Sequence, residues 1–254
     1  MNEKKVPKKV PGTFSTFSGK KALVIGGTGG IGRAIALGLA EKGAELMIHG
    51  GSSRERLDDT LELIKKAGGK AEGFLYSIED LSAAEEILSR SFKPDILVCA
   101  WGPFKRGNLE TLDRAFWQGM VEKNLTFPGI LVSLVIHDMI EQRYGRILLF
   151  GGTNTDTIRG FMTTAAYSAA KTGLSVLAKS VAKSTGPYGV SCNVICPGLT
   201  NTEYSDEEQQ LYNSEKSPGG IPLDPNDIAK TALYVLENDA INGAIITVDR
   251  GLII

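Results

Sequence analysis

The chain has 254 residues, of which 42% are hydrophobic and 22% are charged, and its formal net charge is −1. These values are typical of a globular protein with an ordinary hydrophobic core. The balanced charge gives no reason to expect nucleic acid or an acidic membrane surface as a partner, and no apolar run reaches the ~18–20 residues that cross a bilayer.

The cysteines and histidines bear on location and on metal binding. Cys99, Cys192 and Cys196 are odd in number and lie in apolar, strand-like segments. They are therefore predicted to be reduced core thiols of a cytoplasmic protein. His49 and His137 have no partner pattern and are interpreted as structural. The sequence contains no clustered Cys/His spacing, so no metal site is expected.

The chain begins with residues 1–18, which carry paired lysines and two prolines and are predicted to be a flexible basic tail. Residues 19–254 alternate short apolar runs with longer amphipathic ones. Strands are predicted over 22–25, 45–48, 71–76, 95–99, 146–150, 190–195 and 244–248, and helices over 31–42, 54–67, 81–92, 112–142, 164–185 and 227–237.

This alternation predicts an α/β fold. Strands that are apolar throughout and separated by helices indicate a parallel sheet covered on both faces. Right-handed crossovers then give a single doubly wound, Rossmann-type domain with helices flanking a central parallel sheet. The polar stretch 202–221, rich in Glu, Gln and Ser, is predicted to be a substrate loop or small lid.

A glycine-rich turn, GGTGGIG from Gly26 to Gly32, joins the first predicted strand to the first predicted helix. Glycines allow a tight turn and let a diphosphate approach backbone N–H groups at a helix N-terminus, whose dipole favours anions. A flexible glycine loop without a ligand is the alternative interpretation. The position of the turn between strand and helix favours a dinucleotide site.

The end of the second predicted strand bears on the choice of cofactor. An NAD-preferring site places Asp or Glu on the ribose 2′-hydroxyl about 20 residues after the glycine turn, but the residue here is Gly50. A 2′-phosphate is predicted to sit against Ser52, Ser53 and Arg54, which offer hydroxyl donors and a planar cation. We therefore expect NADP(H) in preference to NAD(H). In the alternative, Ser52 or Ser53 only caps the next helix.

Tyr167 and Lys171 are four residues apart in a predicted helix, so their side chains share one face. A tyrosine at its reference pKa of ~10 is a poor acid or base at neutral pH. A fixed positive charge nearby favours the phenolate and is expected to lower the pKa of Tyr167, which would suit proton transfer. Such a pair also occurs by chance on solvated helix faces.

In their order along the chain, these motifs resemble those of the short-chain dehydrogenase/reductase family, and specifically of the branch that includes the 3-oxoacyl-acyl-carrier-protein reductases. The resemblance covers essentially residues 20–252. The residues that match the family motifs are Gly26, Gly30, Gly32, Asn124, Tyr167, Lys171, Pro197, Gly198, Thr202, Gly243 and Asp249.

The resemblance implies an oxidoreductase that reduces a ketone, with a 3-oxoacyl thioester as the first candidate, to a secondary alcohol. Tyr167 would donate a proton to the carbonyl while NADPH delivers hydride to the carbon. Lys171 would lower the pKa of Tyr167 and bind the nicotinamide ribose, and Asn124 would hold a water in a proton relay. The implied further cofactor contacts are Thr28, Ile31, Ser77, Ile78, Ala100 and Gly102. Family members commonly assemble through their long helices, so a homotetramer or homodimer is expected by resemblance.

The sequence departs from the family where a carbonyl-orienting serine is expected, about thirteen residues before the tyrosine. Counting back from Tyr167 gives Asn154, with Thr153 and Thr155 beside it. An Asn amide can donate to an oxyanion, and a Thr hydroxyl can replace that of a serine. Trp101, which stands in the altered motif after the fourth strand, is interpreted either as a cover for the ligands or as a packed core aromatic.

Three functions stay open at this point. The first is an NADP(H)-dependent reductase or dehydrogenase of a small carbonyl or alcohol, with neither nucleic acid nor membrane as a partner. The second, motivated by the replaced serine, is a catalytically weakened sensor or scaffold that binds a dinucleotide. The third is a structural subunit that stabilises an active homologue.

Overall fold

Seven parallel strands form the centre of the protein, whose computed structural model describes residues 17–252. The strands are β1 (Lys21–Ile25), β2 (Glu45–Gly50), β3 (Lys70–Leu75), β4 (Ile96–Cys99), β5 (Gly145–Phe150), β6 (Val190–Pro197) and β7 (Ile245–Val248). Their order across the sheet is β3-β2-β1-β4-β5-β6-β7. The predicted α/β fold with a parallel sheet is confirmed. Of the predicted tail 1–18, all but residues 17 and 18 lies outside the described residues.

Helices cover both faces of this sheet. They are α1 (Gly30–Glu41), α2 (Arg54–Lys66), α3 (Ala83–Ser89), α4 (Arg114–Val121), α5 (Phe127–Glu141), α6 (Ala165–Thr185), α7 (Glu207–Lys216) and α8 (Pro225–Glu237). Successive side chains of a strand point to opposite faces. Val24 accordingly belongs to the hydrophobic core that includes residues of α1 and α8, while Leu23 and Ile25 belong to the core that includes residues of α5 and α6.

The strand order places a crevice at one edge of the sheet. β1 pairs with β2 on one side and with β4 on the other, so the direction of winding reverses between β3 and β4. In doubly wound sheets, ligands bind outside the carboxyl ends of the strands at such a switch point. The glycine turn follows β1 directly and therefore lies at this edge.

The long helical region predicted over 112–142 is present as the stretch Arg114–Glu141, but it is not α-helical throughout. A π-helical turn, Glu122–Thr126, separates α4 from α5. Pro128 lies in the first turn of α5, and because proline has no backbone N–H it cannot donate to the carbonyl four residues earlier. π-turns of this kind occur often at functional sites, and this one carries Asn124.

The polar stretch 202–221 contains a helix that the sequence analysis did not predict. α7 is capped by Asp206, whose carboxylate accepts a hydrogen bond from the Gln209 N–H at 2.8 Å. Only Asn213 of this helix is buried. A helix that buries one polar residue has no apolar stripe, which is the signal that predicts helices from sequence.

The stretch Arg114–Glu141 is long and apolar enough to cross a membrane by length and composition alone. Its mean hydropathy reaches 1.3 over its best 18-residue window, and 39% of that window is buried within the protein. Core helices of soluble proteins have the same length and composition, so this is weak evidence for a membrane segment. The absence of a membrane partner stays a prediction.

Candidate active site

The glycine turn has the backbone geometry of an anion cradle. Gly26 and Gly30 have φ values of 75° and 50°, in the left-handed region that side-chain-bearing residues rarely adopt. α1 begins at Gly30, so its first N–H groups have no partner within the helix. A Cβ at Gly32 would overlap the carbonyl oxygen of Gly26. Glycine is therefore required where the helix packs on the turn.

The cradle holds an anion in this structure, and that anion is the carboxylate of Glu203. Both of its oxygens accept from the Gly30 N–H at 3.0 Å, and one lies 3.4 Å from Arg33 Nη1. Phosphate oxygens use the same donors at a helix N-terminus. The residues present thus fit the diphosphate of a dinucleotide, with Arg33 as an additional cation.

His49 holds the glycine turn in place through hydrogen bonds of its ring. Its side chain is fully buried, and its Nδ1 accepts from the Gly26 N–H at 3.4 Å. Its Nε2 then carries the proton and donates to the Tyr76 carbonyl at 2.9 Å. Burial lowers the pKa of His49 to about 4, so the ring is neutral at physiological pH. The ring therefore links the glycine turn to the carboxyl ends of β2 and β3, in agreement with a structural interpretation.

We expect Gly32→Ala to lose nucleotide binding, because the new methyl group would displace the Gly26 carbonyl and with it the cradle. The dissociation constant for NADPH should rise at least ~100-fold, since displacements of about 1 Å have effects of this size. Fluorescence titration checks this. Gly119→Ala in α4 is the matched control, because a Cβ there meets nothing within 4 Å; equal affinities in the two variants would contradict the prediction.

At the ribose end of the cradle, position 50 excludes a side chain. A Cβ at Gly50 would lie 2.5 Å from the Thr28 methyl carbon and 3.0 Å from a Leu75 methyl carbon. A carboxylate at this position, which an NAD-preferring site uses, therefore does not fit without movement of Thr28.

The predicted 2′-phosphate contacts are in part engaged elsewhere. Ser53 Oγ caps α2 by accepting from the Arg56 N–H at 3.3 Å, as the alternative interpretation of the sequence proposed. Arg54 lies 3.8 Å from Asp58 in an exposed pair, which binds weakly. Ser52 is exposed. Arg56 was not predicted, yet its guanidinium lies 4.4 Å from the centre of the Tyr204 ring.

Tyr167 and Lys171 lie on α6 and face the carboxyl end of β5. Lys171 is buried, and its Nζ donates to the Phe150 carbonyl at 2.9 Å and lies 5.8 Å from the centre of the Tyr167 ring. Phe104 packs edge-to-face on the same ring, with the centroids 5.0 Å apart. Within residues 17–252 no hydrogen bond engages the Tyr167 hydroxyl, which leaves it free to bind a ligand.

The expected lowering of the Tyr167 pKa is wrong for this structure. Burial raises the pKa of Tyr167, and the charge of an ionised Cys196 raises it further. The Lys171 ammonium is turned toward the Phe150 carbonyl and does not offset this, and burial lowers the pKa of Lys171 itself to about 8. Tyr167 is thus a neutral phenol across the neutral range, the protonation state that a proton donor needs.

Asn124 is fixed beside Lys171 by the π-turn. Its Nδ2 donates to the Pro103 carbonyl at 3.0 Å, while its Oδ1 is buried without a partner among the described residues. A Cβ at Gly102 would overlap Asn124 Oδ1 and lie 3.0 Å from Lys171 Nζ, so both groups converge on Gly102. A buried acceptor without a partner is a position where ordered water binds, which fits the predicted relay.

The residue against Tyr167 is Gly152 rather than any of the three predicted substitutes for serine. A Cβ at Gly152 would lie 2.7 Å from Tyr167 Cε1 and 3.0 Å from its hydroxyl oxygen. Thr155 is buried and closes a turn, donating to the Gly152 carbonyl at 3.0 Å and accepting from its N–H at 2.8 Å. Thr153 donates to the Pro197 carbonyl at 3.1 Å. Asn154 holds the turn with φ of 60°.

The other predicted cofactor contacts surround the same crevice. The Ala100 N–H donates to the Ile25 carbonyl at 3.0 Å, which places the loop after β4 beside the cradle. A Cβ at Gly30 would lie 3.3 Å from the Thr202 methyl carbon, and one at Gly198 would lie 2.7 Å from Asp249 Cβ. Ile31 is partly buried against the core, Ile78 is buried, and Ser77 is exposed.

Two further sequence predictions concern Trp101 and the three cysteines. Trp101 packs edge-to-face on buried Phe127 at 5.6 Å between centroids, which favours the packed aromatic interpretation. The three cysteines are buried and free. Burial raises the pKa of Cys99 and Cys196 to about 11. Within residues 17–252, no group of three or more His, Cys, Asp or Glu side chains could hold a metal ion.

Comparison with known proteins gives concordant matches. A family model described as short chain dehydrogenase matches residues 20–213. A 2-dehydro-3-deoxy-D-gluconate 5-dehydrogenase from Formosa agariphila is 30% identical over 247 residues, covering 92% of this chain and 93% of that protein. A 3-oxoacyl-acyl-carrier-protein reductase from Aquifex aeolicus is 33% identical over 249 residues, covering 93% and 98%. A structure from Agrobacterium tumefaciens, described as a proposed 2-deoxy-D-gluconate 3-dehydrogenase with bound NADP, superposes with a TM-score of 0.81 at 29% identity, over 93% of this chain and 97% of that one.

Proposed function

Because the chain belongs to the short chain dehydrogenase family and is an NAD(P)-dependent oxidoreductase, we propose that it interconverts a ketone and a secondary alcohol with NADP(H) as its cofactor. The observation that carries this proposal is the Tyr167 hydroxyl, a neutral phenol without a hydrogen-bond partner in residues 17–252, beside Lys171 and at the same sheet edge as the cradle. NADPH supplies the hydride when it is bound.

The proposed roles of the residues follow from their positions. Tyr167 donates the proton to the carbonyl oxygen as negative charge develops there. Lys171, held by the Phe150 carbonyl 5.8 Å from the centre of the Tyr167 ring, supplies a donor for the cofactor ribose. Asn124 Oδ1 holds a water that returns a proton toward Lys171. Thr153 and Asn154 stay the candidates for a hydrogen bond to the substrate carbonyl.

NADP(H) is proposed over NAD(H) for three reasons. Position 50 carries no carboxylate that would repel a 2′-phosphate, and Thr28 fills the space that such a side chain needs. Arg33, Arg54 and Arg56 all lie on the first turns of α1 and α2, where cations favour a phosphate. The related structure from Agrobacterium tumefaciens contains NADP.

Two substrate classes are candidates. A 3-oxoacyl thioester is the first, by resemblance and by the relative from Aquifex aeolicus. Arg106 favours a second, a hydroxy or keto sugar acid, like the substrate named for the relative from Formosa agariphila. Its guanidinium lies 5.9 Å from the centre of the Phe104 ring, which contacts Tyr167, and 5.2 Å from that of Tyr212 on α7. Arg106 thus lies next to a ring that contacts the proposed proton donor, and its guanidinium suits a carboxylate of the substrate.

The test of the proposed function is oxidation of NADPH and of NADH with a panel of ketones, read as loss of absorbance of the reduced nicotinamide. The panel contains 3-oxoacyl thioesters, keto sugar acids and their uncharged sugar analogues. Turnover with NADPH and a weaker rate with NADH are expected. Tight NADPH binding without turnover on the whole panel would favour the sensor, and co-purification with an active homologue would favour the structural subunit.

We also propose a cytoplasmic homo-oligomer that assembles through its long helices. Apolar side chains on α4, α5 and α6 are exposed in the single chain, among them Trp117, Leu134 and Val176. A second copy of the chain would cover them, as expected by resemblance. Light scattering measures the assembly, and a monomer would contradict the proposal.

A further inference from the structure

A short segment after β6, residues 202–205, lies directly on the glycine cradle; we call it the closing segment. It is a compact turn, in which the Thr202 N–H donates to Ser205 Oγ at 3.1 Å and the Tyr204 N–H donates to Thr202 Oγ1 at 3.2 Å. A Cβ at Gly29 would overlap the Tyr204 hydroxyl, so the ring covers the turn closely.

The closing segment places the Glu203 carboxylate where the diphosphate of the cofactor is expected to bind. The Glu203 carboxylate accepts from the Gly30 N–H with both oxygens at 3.0 Å and lies 3.4 Å from Arg33 Nη1. Arg33 is itself held in place, because its Nη2 donates to the Thr28 carbonyl at 2.7 Å and its Nε donates to Thr60 Oγ1 at 3.1 Å. The carboxylate therefore has a fixed cation and a helix N-terminus as partners, which are the partners of a bound phosphate.

The contact extends beyond the carboxylate. The guanidinium of Arg56, in the first turn of α2, lies 4.4 Å from the centre of the Tyr204 ring. Cation–π contacts of this kind stabilise the position of the ring. The closing segment thus reaches from the first turn of α1 to the first turn of α2. These are the two elements that the proposed function assigns to the nucleotide.

We propose that Glu203 is an internal competitor for the phosphate cradle and that a nucleotide binds only after this carboxylate withdraws. A diphosphate and the carboxylate cannot both accept from the Gly30 N–H, and two anions at this distance repel each other. The inference rests on the proposed function, since it assumes a nucleotide for the cradle. Withdrawal of Glu203 moves the closing segment, which leads through Asp206 directly into α7.

The competition has a measurable consequence for affinity. The apparent dissociation constant of a ligand rises in proportion to the fraction of molecules in which its site is blocked. Removing the charge of Glu203 weakens the contacts that hold the closing segment on the cradle, and it also removes the repulsion of the diphosphate. The variant Glu203→Gln keeps the size of the side chain and is therefore expected to bind NADPH about tenfold more tightly.

The same substitution has the opposite effect on the protein without ligand. Glu203→Gln loses the ion pair with Arg33 and weakens the hydrogen bonds from Gly30, so the Tm of the ligand-free protein should fall by about 2 °C. Glu207→Gln is the matched control, because Glu207 follows the closing segment closely but lies in the exposed first turn of α7 and outside the cradle. If the Glu203 carboxylate had only a structural role, Glu203→Gln would lower both the Tm and the affinity for NADPH.

The experiment combines two titrations of the wild type, Glu203→Gln and Glu207→Gln. NADPH affinity is followed by fluorescence, and inorganic pyrophosphate is followed by its thermal protection of each protein. Tighter NADPH binding and stronger pyrophosphate protection for Glu203→Gln alone are expected. If pyrophosphate protected Glu203→Gln no more strongly than the wild type, the inference would be overturned. The same conclusion would follow if pyrophosphate protected none of the three proteins. Failure of all three to bind NADPH or NADH would instead refute the proposed function.

Discussion

Tyr167→Phe is expected to lower kcat for ketone reduction at least ~100-fold, which is the usual contribution of a positioned general acid. The hydroxyl takes part in no hydrogen bond within residues 17–252, so its removal should leave Tm and NADPH affinity close to their wild-type values. The loss then falls on the chemical step. Stopped-flow measurement of NADPH oxidation, together with a fluorescence titration, separates the two effects.

Tyr188→Phe is the control for this variant, because Tyr188 is 41% exposed and follows the opposite end of α6. It removes the same hydroxyl far from the crevice and should leave kcat unchanged. Wild-type turnover by Tyr167→Phe would refute the proton-donor role. A fall in NADPH affinity as large as the fall in kcat would show that the hydroxyl mainly binds the cofactor.

The parts of the molecule that depend on local sequence could be predicted. The apolar strands around β1 and β4, and a glycine turn followed at once by a helix, carry their signals in adjacent residues. Their boundaries differ from the predicted ones by a few residues because helix ends and strand ends depend on capping and pairing. The i,i+4 spacing of Tyr167 and Lys171 likewise predicted that the two side chains lie close together, and Lys171 Nζ lies 5.8 Å from the centre of the Tyr167 ring.

The parts that depend on contacts between distant segments could not be predicted. Glu203 lies 173 residues from Gly30 along the chain. It reaches the cradle only because the segment after β6 extends past the carboxyl ends of β5 and β4 to the glycine turn after β1. The direction of the Tyr167 pKa depends on how deeply the fold buries the hydroxyl, and the helical spacing gives no information on burial. Arg33 was also not predicted, although it follows Gly32 directly on α1 and its proximity to the cradle could have been inferred from the sequence.

Counting residues back from Tyr167 also failed to identify the residue of the preceding loop that contacts the Tyr167 ring. Asn154 is thirteen residues before Tyr167, but the turn closed by Thr155 gives the loop its own geometry and brings Gly152 against the ring instead. A count along the chain assumes a loop of constant shape. Here the loop is tied internally, and that assumption does not hold.

Gly152→Ala is expected to lower kcat ~10–100-fold, because a new methyl group would push the Tyr167 ring out of its position and small displacements of a catalytic group have effects of this size. The Cβ would lie 2.7 Å from Tyr167 Cε1, closer than two carbon atoms can approach without movement. The backbone at Gly152 does not have a positive φ, so alanine fits the chain itself, and NADPH affinity should be retained. Steady-state kinetics with NADPH and the best substrate of the panel measure the effect.

Gly160→Ala is the matched control, since it alters the loop between β5 and α6 at a position where a Cβ meets nothing within 4 Å.

Gly152→Ser separates the displacement of the Tyr167 ring from the effect of a hydroxyl at this position. It introduces the same Cβ, but it also places a hydroxyl beside the proton donor, where the family resemblance implies that a serine side chain orients the carbonyl. A Ser variant more active than the Ala variant would assign that position to residue 152 and leave Thr153 and Asn154 without the role. Equal losses in both would mean that the ring position alone is decisive, and wild-type activity in Gly152→Ala would show that Tyr167 does not depend on this glycine for its placement.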